Sequence, residues 1–288
     1  MGNIVRAPFG PQIAPQAESD AHLIGLWLHT KSSRTQVEYA REASRFVDFV
    51  GKPLAELKLA DVHRFADSLD GLQPSTKARI TATVKSLLSF AFCVGYIPFN
   101  VGMGLTISRA LQTRAQRIVT EECIMRIIAL ESHPTRKALL RVIYGLGLRV
   151  SETRIQWRDL QPRGDSGQVT VTGKGSKTRT LLMSKAAWDA LMALRPEDAS
   201  DTDYVFVSRQ GTPLSVSQIG RIVKEAARRA GLVGVSPHWL RHAHASHALD
   251  RHCPLHVLQS SLGHQSLATT SIYIHARPGD GSALYLAV

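Results

Sequence analysis

The sequence predicts a mainly α-helical chain of two domains, with one small antiparallel β-sheet in the second. Three observations predict it. Across most of the 288 residues, apolar positions recur close to the 3.6-residue helical period, with capping residues in front and glycines behind. One stretch, QVTVTGKGSKTRTLLM, alternates on either side of a glycine-rich turn instead, which is the pattern of a hairpin. Between the helical regions lies IPFNVGMGLTISRALQTRAQR, whose glycines and arginines follow no regular period and read as a linker.

The elements come in this chain order. Residues 1–16, with Pro8, Pro11 and Pro15, read as a flexible lead. A helical domain is expected over 17–100. HLIGLWLHT and TQVEYAREASRFVDFV place apolar residues at Leu23, Trp27, Tyr39, Ala43, Phe46 and Val50, and GKP at 51–53 breaks the pattern. LADVHRFADSL runs up to Gly71, and a long helix opens near Ser75 and ends at Gly95. A basic linker is expected over 101–117 and a second domain over 118–288. There Thr120 caps EECIMRIIAL, with Glu121 and Glu122 suiting the positive helix end. RKALLRVIYGLGLRVSETRI reads as a helix pair, or as one helix broken around Gly145 and Gly147. After the hairpin, Ser184 caps SKAAWDALMAL, YVFVS reads as a short strand, and a helix over SVSQIGRIVKEAARRAGL ends at Gly231. Ser236-Pro237 and Pro254 open two further helices, the second stopped by Gly263. A last short helix, QSLATTSIYIH, has Ser266 as its candidate cap.

Composition limits the function classes. An apolar content of 44% excludes a disordered chain. The excess of 35 Lys and Arg over 23 Asp and Glu gives +12, a surface that favours polyanions. From Gly71 to Thr120 there is no acidic residue, while Lys77, Arg79, Lys85, Arg109, Arg114 and Arg117 all fall there. Without carboxylates to repel phosphates, this stretch is a candidate nucleic-acid face. Cys93, Cys123 and Cys253 are odd in number and form no CxxC pair, which argues for a reducing compartment. The start lacks a signal-type apolar core and no apolar run reaches membrane-spanning length, so a cytoplasmic location is expected.

Four short motifs hold candidate chemistry. In SPHWLRH, His238 and Arg241 are three apart on a helix, so their side chains lie about 60° apart around the axis. A guanidinium fork beside an imidazole suits a phosphate that must also exchange a proton, and equally fits an exposed helix face. GLGLRVSE adds Arg149 with Glu152 three residues on, an arrangement that also serves as a structural ion pair. Lys174 and Lys177 sit at the hairpin turn, where a lysine is either solvated or the right shape to enter a DNA groove. In LGHQSLATTSIYIH, His264 comes directly after Gly263 and Tyr273 lies in the next helix. A phenol, with a pKa of about 10, attacks a phosphodiester only with a base and cations to help it. Two arginines, two histidines and a lysine are such a set, and no clustered carboxylates of the two-metal kind accompany them.

These four motifs, in this order and spacing, resemble the tyrosine recombinase (phage integrase) family, and within it the XerC and XerD branch. The N-terminal stretch resembles its SAM-like helical core-binding domain, and 118–275 its catalytic domain. The resemblance implies a site-specific recombinase that cuts and rejoins DNA through a 3′-phosphotyrosyl bond, without metal, ATP or other cofactor. It implies Tyr273 as nucleophile, Arg149 and Arg241 as a phosphate clamp, His238 as proton acceptor, Lys174 as general acid, and His264 as a phosphate hydrogen-bond donor. Glu152 matches a supporting acidic position. The implied partners are a double-stranded recombination site, a homo-oligomer that forms a tetramer on two such sites, and a related recombinase subunit. Two features depart from the pattern: Asn100-Val101 stands where the family often has Asn-Pro, and the tail SALYLAV is short and uncharged.

Two other readings fit parts of the same pattern. Eight of the twelve histidines fall between His238 and His275, and the pairs His238/His242 and His244/His247 have helical spacing, so a metalloenzyme competes. There is no HExxH, and His242, His244, His247, His252, His256 and His275 read as structural or surface residues. The other competitor is a DNA-binding module of the same fold that lacks catalysis. The complete residue set argues against it.

Overall fold

Ser19 starts the first helix. Its hydroxyl accepts the His22 backbone N–H at 3.2 Å, and α1 runs Asp20–His29 with Leu23 and Trp27 buried one turn apart. The computed structural model describes residues 16–107, 119–173 and 177–263. The expected lead, the linker arginines, Lys174 and the last helix therefore lie largely or wholly outside the described residues. The chain divides into two compact units, Met1–Gln112 and Thr113–Val288. No helix among the described residues is long and apolar enough to cross a membrane.

In the first unit, α2 (Ser33–Val50) stops at Gly51, whose φ of 61° closes the helix with its N–H on the Val47 carbonyl. Helix α3 (Leu59–Ser68) is started by Asp61, whose carboxylate accepts the Lys58 N–H at 2.8 Å. Helix α4 (Pro74–Cys93) has proline in its first turn and buries Ile80, Val84, Leu87, Leu88 and Ala91 on one face. These four helices surround one core that includes Trp27, Phe46, Leu54 and Phe65. Large side chains buried like these contribute about 1.5–3 kcal/mol each.

The stretch read as linker starts later than its sequence suggests. Val101–Gly104 forms a 3-10 turn with the Asn100 side chain accepting the Gly102 N–H at 3.1 Å, and Val101 and Leu105 are part of the first unit's core. Two apolar side chains separated by Gly102-Met103-Gly104 leave no sustained period to read, yet both are buried.

In the second unit, Thr120 accepts the Cys123 N–H at 3.3 Å and opens α5 (Glu121–Ala129). Helix α6 (Pro134–Gly145) buries Leu139, Leu140, Val142 and Ile143. It is a single helix that ends at Gly145. A turn and a 3-10 turn over Val150–Thr153 then lead to the sheet, with no second α-helix between. Gly147 makes the first of these turns. Its φ is +59°, and a Cβ there would stand 2.6 Å from the His244 ring.

The sheet has three antiparallel strands in the order β1-β2-β3, with β1 Leu160–Arg163, β2 Ser166–Thr172 and β3 Thr178–Leu182. Only the β2–β3 hairpin has an alternating sequence. β1, LQPR, has a single buried side chain and left no such trace. The expected strand over YVFVS is not formed. Tyr204 and Val207 make isolated bridges to Gln156 and Pro213, and the Val205 N–H donates to the Ile155 carbonyl at 2.9 Å. Val205 and Phe206 are buried, so the apolar run reports burial and not a ladder.

Helix α7 (Lys185–Met192) is capped by Ser184, and α8 (Val216–Arg229) by a reciprocal pair, Ser215 and Gln218. Helix α9 (Pro237–Asp250) buries Leu240, Arg241, Ala243, Ala245 and Leu249. Helix α10 (Leu255–Leu262) ends at Gly263, whose φ is +63°. The main core joins α5, α6, α7, α8, the sheet and the start of α9; a smaller one joins Ala245 and Leu249 to Leu258 and Leu262.

Candidate active site

Arg149 heads the 3-10 turn after α6 and is fastened twice to Glu152. Its backbone N–H donates to Glu152 Oε2 at 2.7 Å and its Nη1 to Oε1 at 2.8 Å. The guanidinium remains 29% exposed while the Glu152 side chain is fully buried, so the arginine can present charge to a ligand and the carboxylate cannot. Arg149 Nη2 reaches the Gly263 carbonyl at 3.3 Å.

Arg241 comes from α9 and is itself buried. It donates Nη1 to the Gly147 carbonyl and Nη2 to the Leu262 carbonyl, both at 2.6 Å, and its Nη1 lies 3.7 Å from Glu152 Oε2. The two acceptors are carbonyls left over where α6 and α10 end, which carry negative partial charge. One carboxylate therefore organises both arginines of the predicted clamp.

Glu152 has a third guanidinium, one that sequence reading did not single out. Arg179, on β3, donates Nη1 to Oε1 and Nη2 to Oε2, both at 2.9 Å, and Nε to the Ser261 carbonyl at 2.7 Å. Burial alone would raise the Glu152 pKa, but hydrogen bonds from Arg179 and Arg149 outweigh it and hold the carboxyl at about 2. A signal for Arg179 was present. It pairs with Val171 in the β2–β3 register, and Val171 is 2% exposed, so the arginine occupies a core-facing position.

His238 lies one turn before Arg241 on α9. Desolvation of its ring lowers its pKa, and the positive charges of Arg241 and Arg149 push the same way. Its ring centre is 6.4 Å from that of His242. Two other histidines of this helix face Tyr144: His247 Nδ1 is 3.0 Å from the hydroxyl, and the His244 ring packs edge to face on the phenol. Among the described residues no group of three His, Cys, Asp or Glu side chains is placed to hold a metal ion.

The structure thus brings together Arg149, His238 and Arg241, with Glu152 and Arg179 beneath them. Lys174, His264 and Tyr273 lie outside the described residues, but the residues just before two of them are at the site. A Cβ on Gly173 would stand 3.2 Å from Glu152 Oε1, and one on Gly263 3.2 Å from Arg179 Nη1. Lys177 is exposed just before β3, where its carbonyl accepts the Gly173 N–H at 2.8 Å and closes the hairpin.

Three of the basic residues expected to face nucleic acid have internal partners. Lys77 pairs with Asp70, Arg79 with buried Glu42 at 2.9 Å, and Lys85 donates to the Leu105 carbonyl at 2.9 Å. Arg109, Arg114 and Arg117 lie outside the described residues.

Residues 117–279 match the phage integrase family. The chain belongs to this family. Among curated members, tyrosine recombinase XerC of Xanthomonas campestris pv. campestris is 32% identical over 256 residues, 85% of this chain and 79% of that protein. Tyrosine recombinase XerD of Chlorobaculum tepidum is 32% identical over 263 residues, 85% of this chain and 86% of its own length. The crystal structure of XerH site-specific recombinase bound to palindromic difH substrate, a post-cleavage complex, covers 90% of this chain and 82% of its own with a TM-score of 0.71 and 21% identity. That likeness is one of fold. The integrase match spans the arginine cluster and the segment holding Tyr273 alike.

Proposed function

We propose that this tyrosine recombinase cuts and rejoins double-stranded DNA at specific sites through a 3′-phosphotyrosyl intermediate on Tyr273. The observation that supports it best is the tie of Arg149 and Arg241 to one buried carboxylate, beside the Gly263 exit that leads to His264 and Tyr273. Two fixed guanidinium groups suit the extra negative charge of a pentavalent phosphorus, the largest electrostatic demand of the reaction.

Charge and proton balance set each step. The bond from the Tyr273 oxygen to phosphorus forms while the bond from phosphorus to the 5′-oxygen breaks. His238 takes the phenolic proton. Its lowered pKa keeps the ring neutral near pH 7, the form that accepts a proton. Lys174, at the hairpin turn, gives a proton to the departing 5′-oxygen, and His264 hydrogen-bonds the phosphate. The 5′-hydroxyl of a partner strand then attacks the phosphotyrosine and reverses these transfers. The bond energy is kept in the intermediate, and cationic side chains supply the charge, so the reaction needs neither ATP nor metal. Exchanging all strands between two duplexes takes four nucleophiles, which calls for a tetramer on two sites.

Trapping on nicked DNA tests this, because loss of the short 5′ fragment makes cleavage irreversible. Wild-type protein should form a covalent protein–DNA adduct and Tyr273→Phe none. An adduct in the mutant means another nucleophile; DNA binding without any wild-type adduct means a non-catalytic module.

A further inference from the structure

We propose that Arg179 is a positioning residue for strand cleavage, acting through Glu152 on Arg149; this rests on the function proposed above. Arg179 spends its guanidinium on the protein. Nε, Nη1 and Nη2 all donate inward, to Ser261 and to both oxygens of Glu152, and the side chain is only 13% exposed. Arg149 gives Nη1 to Glu152 and Nη2, at 3.3 Å, to the Gly263 carbonyl, yet stays 29% exposed. The first arginine is built as a brace, and the second keeps an exposed edge for a phosphate.

The brace has two ends. At Glu152 the fork holds the carboxylate flat and ionised, and both Glu152 oxygens also accept from Arg149, one from its backbone and one from its side chain. Loss of the fork frees the carboxylate to rotate or take up a proton, and either removes the support that aims Arg149. At the other end Nε holds the Ser261 carbonyl, in the last turn of α10, and the side chain packs on Gly263 with no room for a Cβ to spare. The same guanidinium thus fixes the chain where it leaves for His264. A lysine keeps the charge but cannot make three forked bonds in one plane.

The test is Arg179→Lys in adduct trapping on two substrates. One has the ordinary scissile phosphate, and the other a methylphosphonate, whose methyl group replaces a charged oxygen so that less positive charge is required. On the ordinary phosphate Arg179→Lys should cleave about 10- to 100-fold more slowly than wild type, with duplex affinity within about threefold. On the neutral phosphate the ratio of variant to wild-type rate should rise at least about tenfold, as it should for Arg149→Ala. An Arg179→Lys deficit equal on both substrates, or no deficit at all, overturns the proposal. The Arg149→Ala arm separates the two readings: if that variant cleaves the ordinary phosphate normally, the assigned clamp itself fails. A cycle with Glu152→Gln guards against a folding artefact. If Arg179 acts through Glu152, adding Arg179→Lys to Glu152→Gln should slow cleavage by less than about threefold, read where all variants are folded. Full additivity counts against it.

Discussion

Arg241 donates to the carbonyls of Gly147 and Leu262, each at 2.6 Å, from a position only 4% exposed. One guanidinium therefore joins α9 to the chain just beyond α6 and to the end of α10. Its removal should have two separable effects. Arg241→Ala should lower adduct formation about 100- to 1000-fold, as for loss of a transition-state charge donor. It should also destabilise the second unit by roughly 1–3 kcal/mol, because two buried carbonyls lose their donor. Duplex affinity should stay within about threefold, since most of it comes from backbone contacts elsewhere. Gel shift, adduct trapping and urea unfolding separate the three. Equal loss of binding and cleavage contradicts the role assigned to Arg241.

Gly147 is the companion constraint. Its φ of +59° disfavours any side chain, and a Cβ would meet His244 at 2.6 Å and Leu262 at 2.9 Å. Gly147→Ala should cost roughly 2–4 kcal/mol from backbone strain and overpacking together. A drop in melting temperature of roughly 4–16 °C is the expected reading. Gly145 is the control, because nothing lies within 4 Å of a Cβ placed there and the residue is helical. Gly145→Ala should be neutral or stabilising by up to about 1 kcal/mol. Equal effects at both positions would sink this account of the turn.

Much of this arrangement is legible in the sequence, and the reasons differ by residue. Thr120 and Ser184 mark helix starts because capping is a local affair, settled within four residues, and Pro237 marks one by its fixed φ in the first turn. The β2–β3 hairpin shows because its inward Val169 and Val171 alternate with threonine and glutamine. β1 has no alternation to see, and within YVFVS only Val205 and Phe206 are buried, flanked by isolated bridges instead of a paired strand. Glu152 looks like an accessory to Arg149, since sequence shows the partner three residues away and hides those at Arg179 and Arg241. The overlooked Arg179 is nonetheless marked by register. An arginine opposite Val171 on a core-facing row needs a buried carboxylate, and Glu152 is that carboxylate.

Acid should weaken the second unit in two stages. Desolvation holds His244 down at about 4; a hydrogen bond with the Tyr144 backbone offsets this only in part, and the charges of Arg241 and His247 add to it. Between pH 6.5 and about 4 the unfolded chain therefore carries a proton that the folded one refuses, so stability falls as pH falls through that window. Glu152, held at about 2 against an ordinary 4.5, adds a further loss below pH 4.5. Urea midpoints should be flat from pH 7 to about 9, below the ordinary tyrosine range, and decline steadily from 6.5 downward. His244→Gln should reduce the slope between 6.5 and 4.5 whatever its effect at neutral pH. An unchanged slope in that variant assigns the acid sensitivity to other groups.

Salt dependence should distinguish two kinds of basic residue that look alike in the sequence. Arg79 donates to Glu42, whose side chain is 2% exposed, and Lys77 pairs with Asp70, so both are engaged in holding the first unit together. Arg79→Ala should therefore destabilise that unit by roughly 0.5–1 kcal/mol, the scale of a partly exposed pair. It should change the slope of log K against log salt by less than about 1. Arg109, Arg114 and Arg117 are assigned to DNA from an acid-free stretch of sequence. Their joint replacement by alanine should flatten the slope by up to about 2.7, near 0.9 for each phosphate no longer neutralised, and leave the melting temperature almost unmoved. Titrating duplex DNA at several salt concentrations measures both. The reverse outcome, an unaltered slope for the linker set and a large change for Arg79, would move the phosphate-tracking surface from the linker to the helices α2 and α4.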